Sequence, residues 1–137
     1  MKFIMLEDND DRIKAFLEVL QENLPEYEVL IWKSALKMIE EVSPHIKDAV
    51  FISLDHDLVP ETDEDPGDGR DFARFLSHFE PVCPIFIHST NVNASWSMLM
   101  ELEDGGWDVK RKPPIGMGEE WIYKYWIHSV MEKLGKK

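Results

Sequence analysis

The residues able to do chemistry fall in four short stretches: Glu7-Asp8, Asp55-His56-Asp57, His88-Ser89-Thr90-Asn91 and Lys110-Arg111-Lys112. Close carboxylates repel one another, and a hard dication such as Mg²⁺ or Mn²⁺ relieves that repulsion. With Glu7, Asp8, Asp55 and Asp57 holding the cation, the ion would bridge to a phosphoryl oxygen. Lys112 would hold another oxygen as a point charge, and Ser89 and Asn91 would donate hydrogen bonds to others. Asp55 would then face the phosphorus as a nucleophile or a metal ligand. His56 and His88 add proton transfer. Opening a cyclic phosphodiester needs a base for water and an acid for the leaving alkoxide, and an imidazole with an ordinary pKa near ~6.5 suits both tasks. Taken singly, each residue has a plain structural alternative. Glu7 and Asp8 could cap a helix, Asp55 could cap a turn, and Lys112 could be a surface lysine. His56 could orient a carboxylate, and His88 could be a satisfied core residue ending an apolar strand. Position in the fold is what separates the two readings.

Those positions follow from alternating elements. Lys2 to Leu6 has strand character. Asp8 to Asn23 has helical spacing, with Ile13, Phe16, Leu17 and Leu20 on one face and Asn9 or Asp10 as cap. Tyr27 to Trp32 reads as a second strand, and Ser34 caps a helix running through Val42. Ala49 to Leu54 is a continuous apolar run, the mark of a strand buried on both faces. An acidic loop follows, then a helix over Gly69 to Phe79 with Phe72, Phe75, Leu76 and Phe79 turned inward. Pro84 to His88 is a fourth strand. Ala94 to Glu103 is a helix whose core stripe is read as Trp96, Leu99, Met100 and Leu102. Trp107 to Lys110 is a fifth strand, and Glu119 to Leu134 a last helix carrying Trp121, Ile122, Tyr125, Trp126, Val130 and Leu134. Five β-then-α units imply a parallel sheet wrapped on both faces: a single flavodoxin-like, doubly wound α/β domain over residues 1–137, strand order 2-1-3-4-5. Ligands in such folds sit at the carboxyl ends of the strands, and there the four stretches fall.

Composition narrows the partners. A net charge of −12 repels phosphate backbones at long range, which disfavours general nucleic-acid binding. No apolar run is long enough to span a membrane, the first residues do not read as a signal peptide, and the lone Cys83 can form no internal disulfide. A cytoplasmic protein is expected. Glu61 to Asp65 reads as a solvated acidic loop. His45, His78 and His128 are expected at the surface.

Ile4-Met5-Leu6-Glu7-Asp8-Asn9, the strand end at Asp55, Asp68-Gly69 before a helix, Ser89 after Pro84-Ile85-Phe86-Ile87-His88, and Lys112-Pro113 resemble bacterial response-regulator receiver domains over nearly the whole chain. The resemblance implies that Glu7 and Asp8 bind Mg²⁺, that Asp55 accepts a phosphoryl group, and that Ser89 and Lys112 contact it. The chain also departs from ordinary receivers. Leu54-Asp55-His56-Asp57-Leu58 replaces apolar residues, the loop before Gly69 is long, and His88 and Asn91 bracket Ser89. These features look like the divergent receiver group named for cyclic-phosphate processing. That likeness implies a metal-dependent phosphoesterase acting on cyclic or terminal phosphates, with a small phosphorylated substrate or nucleotide end as partner. The rival expectation is a stand-alone receiver, phosphorylated on Asp55, that signals through a protein partner; a third is an inactive interaction module. With no DNA-binding segment after the domain, direct transcription control is not expected.

Overall fold

A computed structural model of the chain describes residues 1–116 and 118–136. Five strands form one parallel sheet in the order β2-β1-β3-β4-β5. They are β1 (Lys2–Leu6), β2 (Glu28–Trp32), β3 (Ala49–Leu54), β4 (Ile85–Ile87) and β5 (Val109–Arg111). The helices are α1 (Asp10–Asn23), α2 (Ala35–Glu41), α3 (Ser43–Ile46), α4 (Gly69–Leu76), α5 (Val92–Asp104) and, after a π-helical turn over Ile122–Trp126, α6 (Ile127–Lys133). Among the described residues no helix is long and apolar enough to cross a membrane.

The two-residue strand period splits the core into two layers. Ile4, Leu6, Ile52, Leu54, Ile85 and Ile87 face α2, α4 and α5. Phe3, Met5, Phe51 and Phe86 face α1 and the C-terminal helix, where they meet Phe16, Trp121 and Trp126. Phe16 lies edge-on to Trp126, with ring centroids 4.6 Å apart. Side chains of this size each contribute roughly 1.5–3 kcal/mol when fully buried.

Several helix faces differ from the periodic reading. On α5 the buried stripe is Ala94, Ser95, Met98 and Leu102, while Trp96 is 49% and Met100 63% exposed. On α1, Leu17 is exposed and the inward set is Ala15, Phe16, Val19 and Leu20. Tyr125 is also exposed, because the last helix opens with a π turn in which Ile127 N–H donates to Ile122 C=O. That turn puts Trp121 with Ile122, and Trp126 with Ile127, on the same buried side. The acidic run Glu61 to Asp65 is exposed, as are His78 and His128, whereas His45 is half-buried and pairs with Lys2 Nζ at 2.7 Å.

One glycine ties the fold to the strand ends. Gly69 opens α4 against β3, and its N–H donates to His56 C=O at 3.0 Å. A Cβ there would lie 2.3 Å from the Asp55 carbonyl oxygen and 2.8 Å from His56 Cα. Gly69→Ala should therefore destabilise the domain by about 1–3 kcal/mol through overpacking. Urea unfolding would show a lowered midpoint; an unchanged midpoint would mean that the strand end yields freely.

Candidate functional site

Sheet register builds the centre of the site. Met5 pairs with Ser53, and Ser53 with Phe86. Two residues further along each strand, on the same face, stand Glu7, Asp55 and His88. Period two thus runs Phe3-Met5-Glu7, Phe51-Ser53-Asp55 and Phe86-His88, so each aromatic row ends in a polar group. Potential ligand atoms of Glu7, Asp55 and His88 lie within 4.8 Å of one another. Glu7 and His88 are 0% exposed and Asp55 4%.

Each group is held. Glu7 Oε2 accepts the N–H groups of Asp8 and Asn9, both at 3.0 Å. Glu7 Oε1 lies 3.1 Å from His88 Nε2. His88 Nδ1 lies 2.7 Å from Ser53 Oγ, which also accepts the Trp126 indole N–H at 3.3 Å. One assignment satisfies this whole chain: the indole donates to Ser53, the Ser53 hydroxyl to Nδ1, and Nε2–H to Glu7. Asp55 Oδ1 accepts the His56 N–H at 2.8 Å, while its Oδ2 is buried without a hydrogen bond.

Arg12 enters this row from α1. Its Nε lies 3.1 Å from Glu7 Oε1 and its Nη2 3.5 Å from Asp55 Oδ2. Burial pushes Asp55 up to about 6, with the Glu7 charge adding to it and His88 and Arg12 opposing. Burial also pushes Glu7 upward, but the His88 hydrogen bond, Arg12 and the Asn9 N–H outweigh it and hold Glu7 below the ordinary carboxylate range. Asp8 is raised, chiefly by burial.

The rest of the expected set lies elsewhere around the strand ends. His56 turns to the other side of β3, where α4 and α5 begin. Its Nδ1 is 2.7 Å from Asp57 Oδ1 and its Nε2 3.5 Å from Asp68 Oδ2, the N-cap of α4. No hydrogen bond engages that Nε2. Asn91 caps α5 through its Oδ1 and reaches Asp57 with Nδ2 at 3.4 Å; Ser89 Oγ accepts the Asn91 N–H at 3.1 Å. Asp8 accepts the N–H of Val59, in the acidic loop. Lys112 places its ammonium 5.4 Å from the Phe86 ring centre, and among the described residues it forms no ion pair with Glu7 or Asp55. The structure thus brings together Glu7, Asp55 and His88, and separately His56, Asp57 and Asn91. The two histidines lie on opposite sides of β3, and the buried His88 has both ring nitrogens engaged.

Sequence reasoning gave no site role to Arg12, Ser53, Asp68 or Trp126. Arg12 carried a usable signal: it is a cation in a helix first turn beside Asp10 and Asp11, where the helix dipole favours acids. Ser53 did too, as the lone polar residue inside an apolar strand.

The model of the cyclic-phosphate processing Receiver domain family matches residues 4–104. No curated protein matches the sequence. Among solved structures, the phosphorylated cyanobacterial phytochrome response regulator RcpA is similar at 16% identity and a TM-score of 0.65, over 96% of this chain and 91% of that one. The response regulator domain of Thermotoga maritima CheB aligns at 12% identity and a TM-score of 0.66, over 100% of this chain and 98% of that one. The Mn²⁺-bound form of response regulator Rcp1 aligns at 13% identity and a TM-score of 0.62, over 96% and 91%.

Proposed function

The chain belongs to the cyclic-phosphate processing receiver family, and from that premise we propose that it is a metal-dependent phosphoesterase opening cyclic phosphates or trimming terminal ones. The observation that carries the reading is the His56 ring. A carboxylate fixes Nδ1 at 2.7 Å, and Nε2, buried 3.5 Å from Asp68 Oδ2, has no hydrogen bond, so a shift of the Asp68 side chain would open a positioned nitrogen for general base or acid work. A phosphoacceptor site needs no such imidazole.

Glu7 and Asp55 fit a divalent cation: their oxygens converge beside His88, and Asp55 Oδ2 is a buried oxygen lacking a hydrogen bond. They would hold the ion, with Asp8 and Asp57 as outlying carboxylates, and the ion would supply Lewis-acid stabilisation of phosphoryl charge. Mn²⁺ or Mg²⁺ suits these oxygen donors. His56 Nε2 takes a proton from the attacking water as its oxygen bonds to phosphorus. The bond from phosphorus to one sugar oxygen breaks on the side opposite the incoming water; the alkoxide takes a proton from solvent, to which His56 then gives up its own. A phosphomonoester and a free hydroxyl result. Proton transfer is thus proposed for His56 alone, with His88 orienting Glu7. Asn91, whose amide reaches Asp57, and the neighbouring Ser89 would bind phosphate oxygens, and Lys112 would join them from its place over the Phe86 ring. The substrate is a small phosphorylated molecule or nucleotide end, met in the cytoplasm.

Incubation with a 2′,3′-cyclic nucleotide and Mn²⁺ or Mg²⁺ tests this by phosphorus NMR. Metal-dependent, catalytic appearance of a phosphomonoester is expected; no turnover with any cyclic phosphate tried would sink the enzymatic reading. The second reading, phosphorylation of Asp55 in signalling to a protein partner, is favoured by Asp55 Oδ2, which accepts no hydrogen bond. A small phosphodonor with Mg²⁺ would then leave a lasting one-to-one adduct by intact mass, absent from Asp55→Ala.

A further inference from the structure

We propose that Arg12 is an exchangeable counter-ion of the buried site: its guanidinium holds Glu7 and Asp55 when no metal is bound, and a divalent cation displaces it. This rests on the metal-dependent reading above and goes beyond it by assigning a competitor within the chain.

The first argument is position. Arg12 Nε is 3.1 Å from Glu7 Oε1 and Nη2 is 3.5 Å from Asp55 Oδ2. Both acids belong to the group whose donor atoms converge within 4.8 Å. The guanidinium therefore addresses the carboxylates that a cation would use. Simultaneous occupation would set an arginine and a dication against each other at contact range in a poorly solvated place.

The second argument is quality of fit. A guanidinium made to pair permanently with a carboxylate forms two parallel hydrogen bonds. Arg12 forms none here through Nε, in spite of the short approach, and Asp55 Oδ2 is likewise left without one. Permanent burial would make these losses costly, whereas a site completed by another ion tolerates them. Charge points the same way. Two buried carboxylates face one guanidinium, which neutralises half of their charge, while a dication neutralises all of it.

The third argument is mobility. The Arg12 side chain is 26% exposed, whereas that of Glu7 is 0% exposed and that of Asp55 6%. Glu7 is anchored by two backbone N–H groups and His88, and Asp55 by the His56 N–H. The carboxylates are fixed and the arginine has a way out to solvent. Exchange therefore moves one long side chain and leaves the strand ends in place.

Thermal melts and calorimetric Mn²⁺ titrations of the full chain and of Arg12→Gln test this. Arg12→Gln should melt lower than wild type without metal, match it at saturating Mn²⁺, and bind Mn²⁺ about 10- to 100-fold more tightly, the range of ordinary coupling between two ligands. Arg12→Lys, which keeps the charge without the fork, should fall between the two and serves if the glutamine variant folds only with metal. A melting deficit that persists at saturation, with unchanged or weaker Mn²⁺ binding, would make Arg12 a purely structural residue and overturn the proposal while leaving the metal reading intact. Mn²⁺ binding by neither protein would overturn both.

Discussion

His56→Gln is expected to slow the opening of a 2′,3′-cyclic phosphate by about 10²- to 10⁴-fold, the usual worth of a positioned proton-transfer group. The magnitude follows from what the ring offers and glutamine lacks. Asp57 fixes the imidazole by Nδ1 at 2.7 Å, and Nε2 has no hydrogen bond. Glutamine keeps much of the bulk and hydrogen bonding but neither takes nor releases a proton near neutral pH, so the fold should persist while the rate falls. Circular dichroism and the metal titration should match wild type. His78→Gln, at an exposed position, should change nothing. His88→Gln should behave differently again. It breaks the buried link between Ser53 and Glu7, so lowered stability and weakened Mn²⁺ binding should accompany any loss of rate. Wild-type turnover by His56→Gln would take proton transfer away from His56 and make the ring a structural one.

Asp55→Asn should abolish turnover and phosphodonor adduct alike, yet make the metal-free protein more stable at pH 8. The sign follows from linkage. Burial raises the Asp55 carboxyl from 3.8 to about 6 in the folded chain. The unfolded chain ionises it first, so its contribution is fully present below the unfolded value and is lost as pH rises from about 4 to about 6. At pH 8 the ionised group costs on the order of 3 kcal/mol by this accounting. Asparagine never ionises and can still accept the His56 N–H, but it gives up the attraction to Arg12. A net gain of about 1–3 kcal/mol, several degrees in Tm, is expected at pH 8. Across pH 4 to 6 the variant should lose less stability than wild type. Millimolar Mn²⁺ should reverse the order, since only wild type keeps the ligand. A variant no more stable than wild type at pH 8, with the same pH slope, would contradict a costly buried charge at this position.

Much of this architecture is legible in the sequence because parallel strands covered on both faces read as apolar runs. Ala49 to Leu54 and the β-then-α alternation lead to the observed sheet, and the chemical residues fall at strand ends as expected. What does not read is which strand-end side chains share a face. Glu7, Asp55 and His88 line up only once Met5, Ser53 and Phe86 are known to be neighbours across the sheet, and that register is a tertiary fact. For the same reason the histidines, alike in sequence, part company: one continues the aromatic row of β4, the other follows the turn to α4. Trp96 and Met100 misled because a large apolar side chain on an amphipathic helix argues for burial. The buried stripe of α5 is built instead on the small Ala94 and Ser95 with Met98 and Leu102.

The π turn in the last helix has a consequence for chain length. In an α-helix, residues five apart point about 140° away from each other, so Trp121 and Trp126 could not both face the core. The turn absorbs the mismatch as one surplus residue, and the stretch between the tryptophans, Tyr123 to Tyr125, is exposed. Removal of a single residue from that stretch leaves the tryptophans four apart, the spacing an ordinary helix accepts, with the indole still in line for Ser53. Insertion of one has no such remedy, because it carries Trp126 off the buried side and strands the Ser53 hydroxyl. The helix should therefore tolerate shortening here and resist lengthening, an asymmetry written into the spacing of two tryptophans.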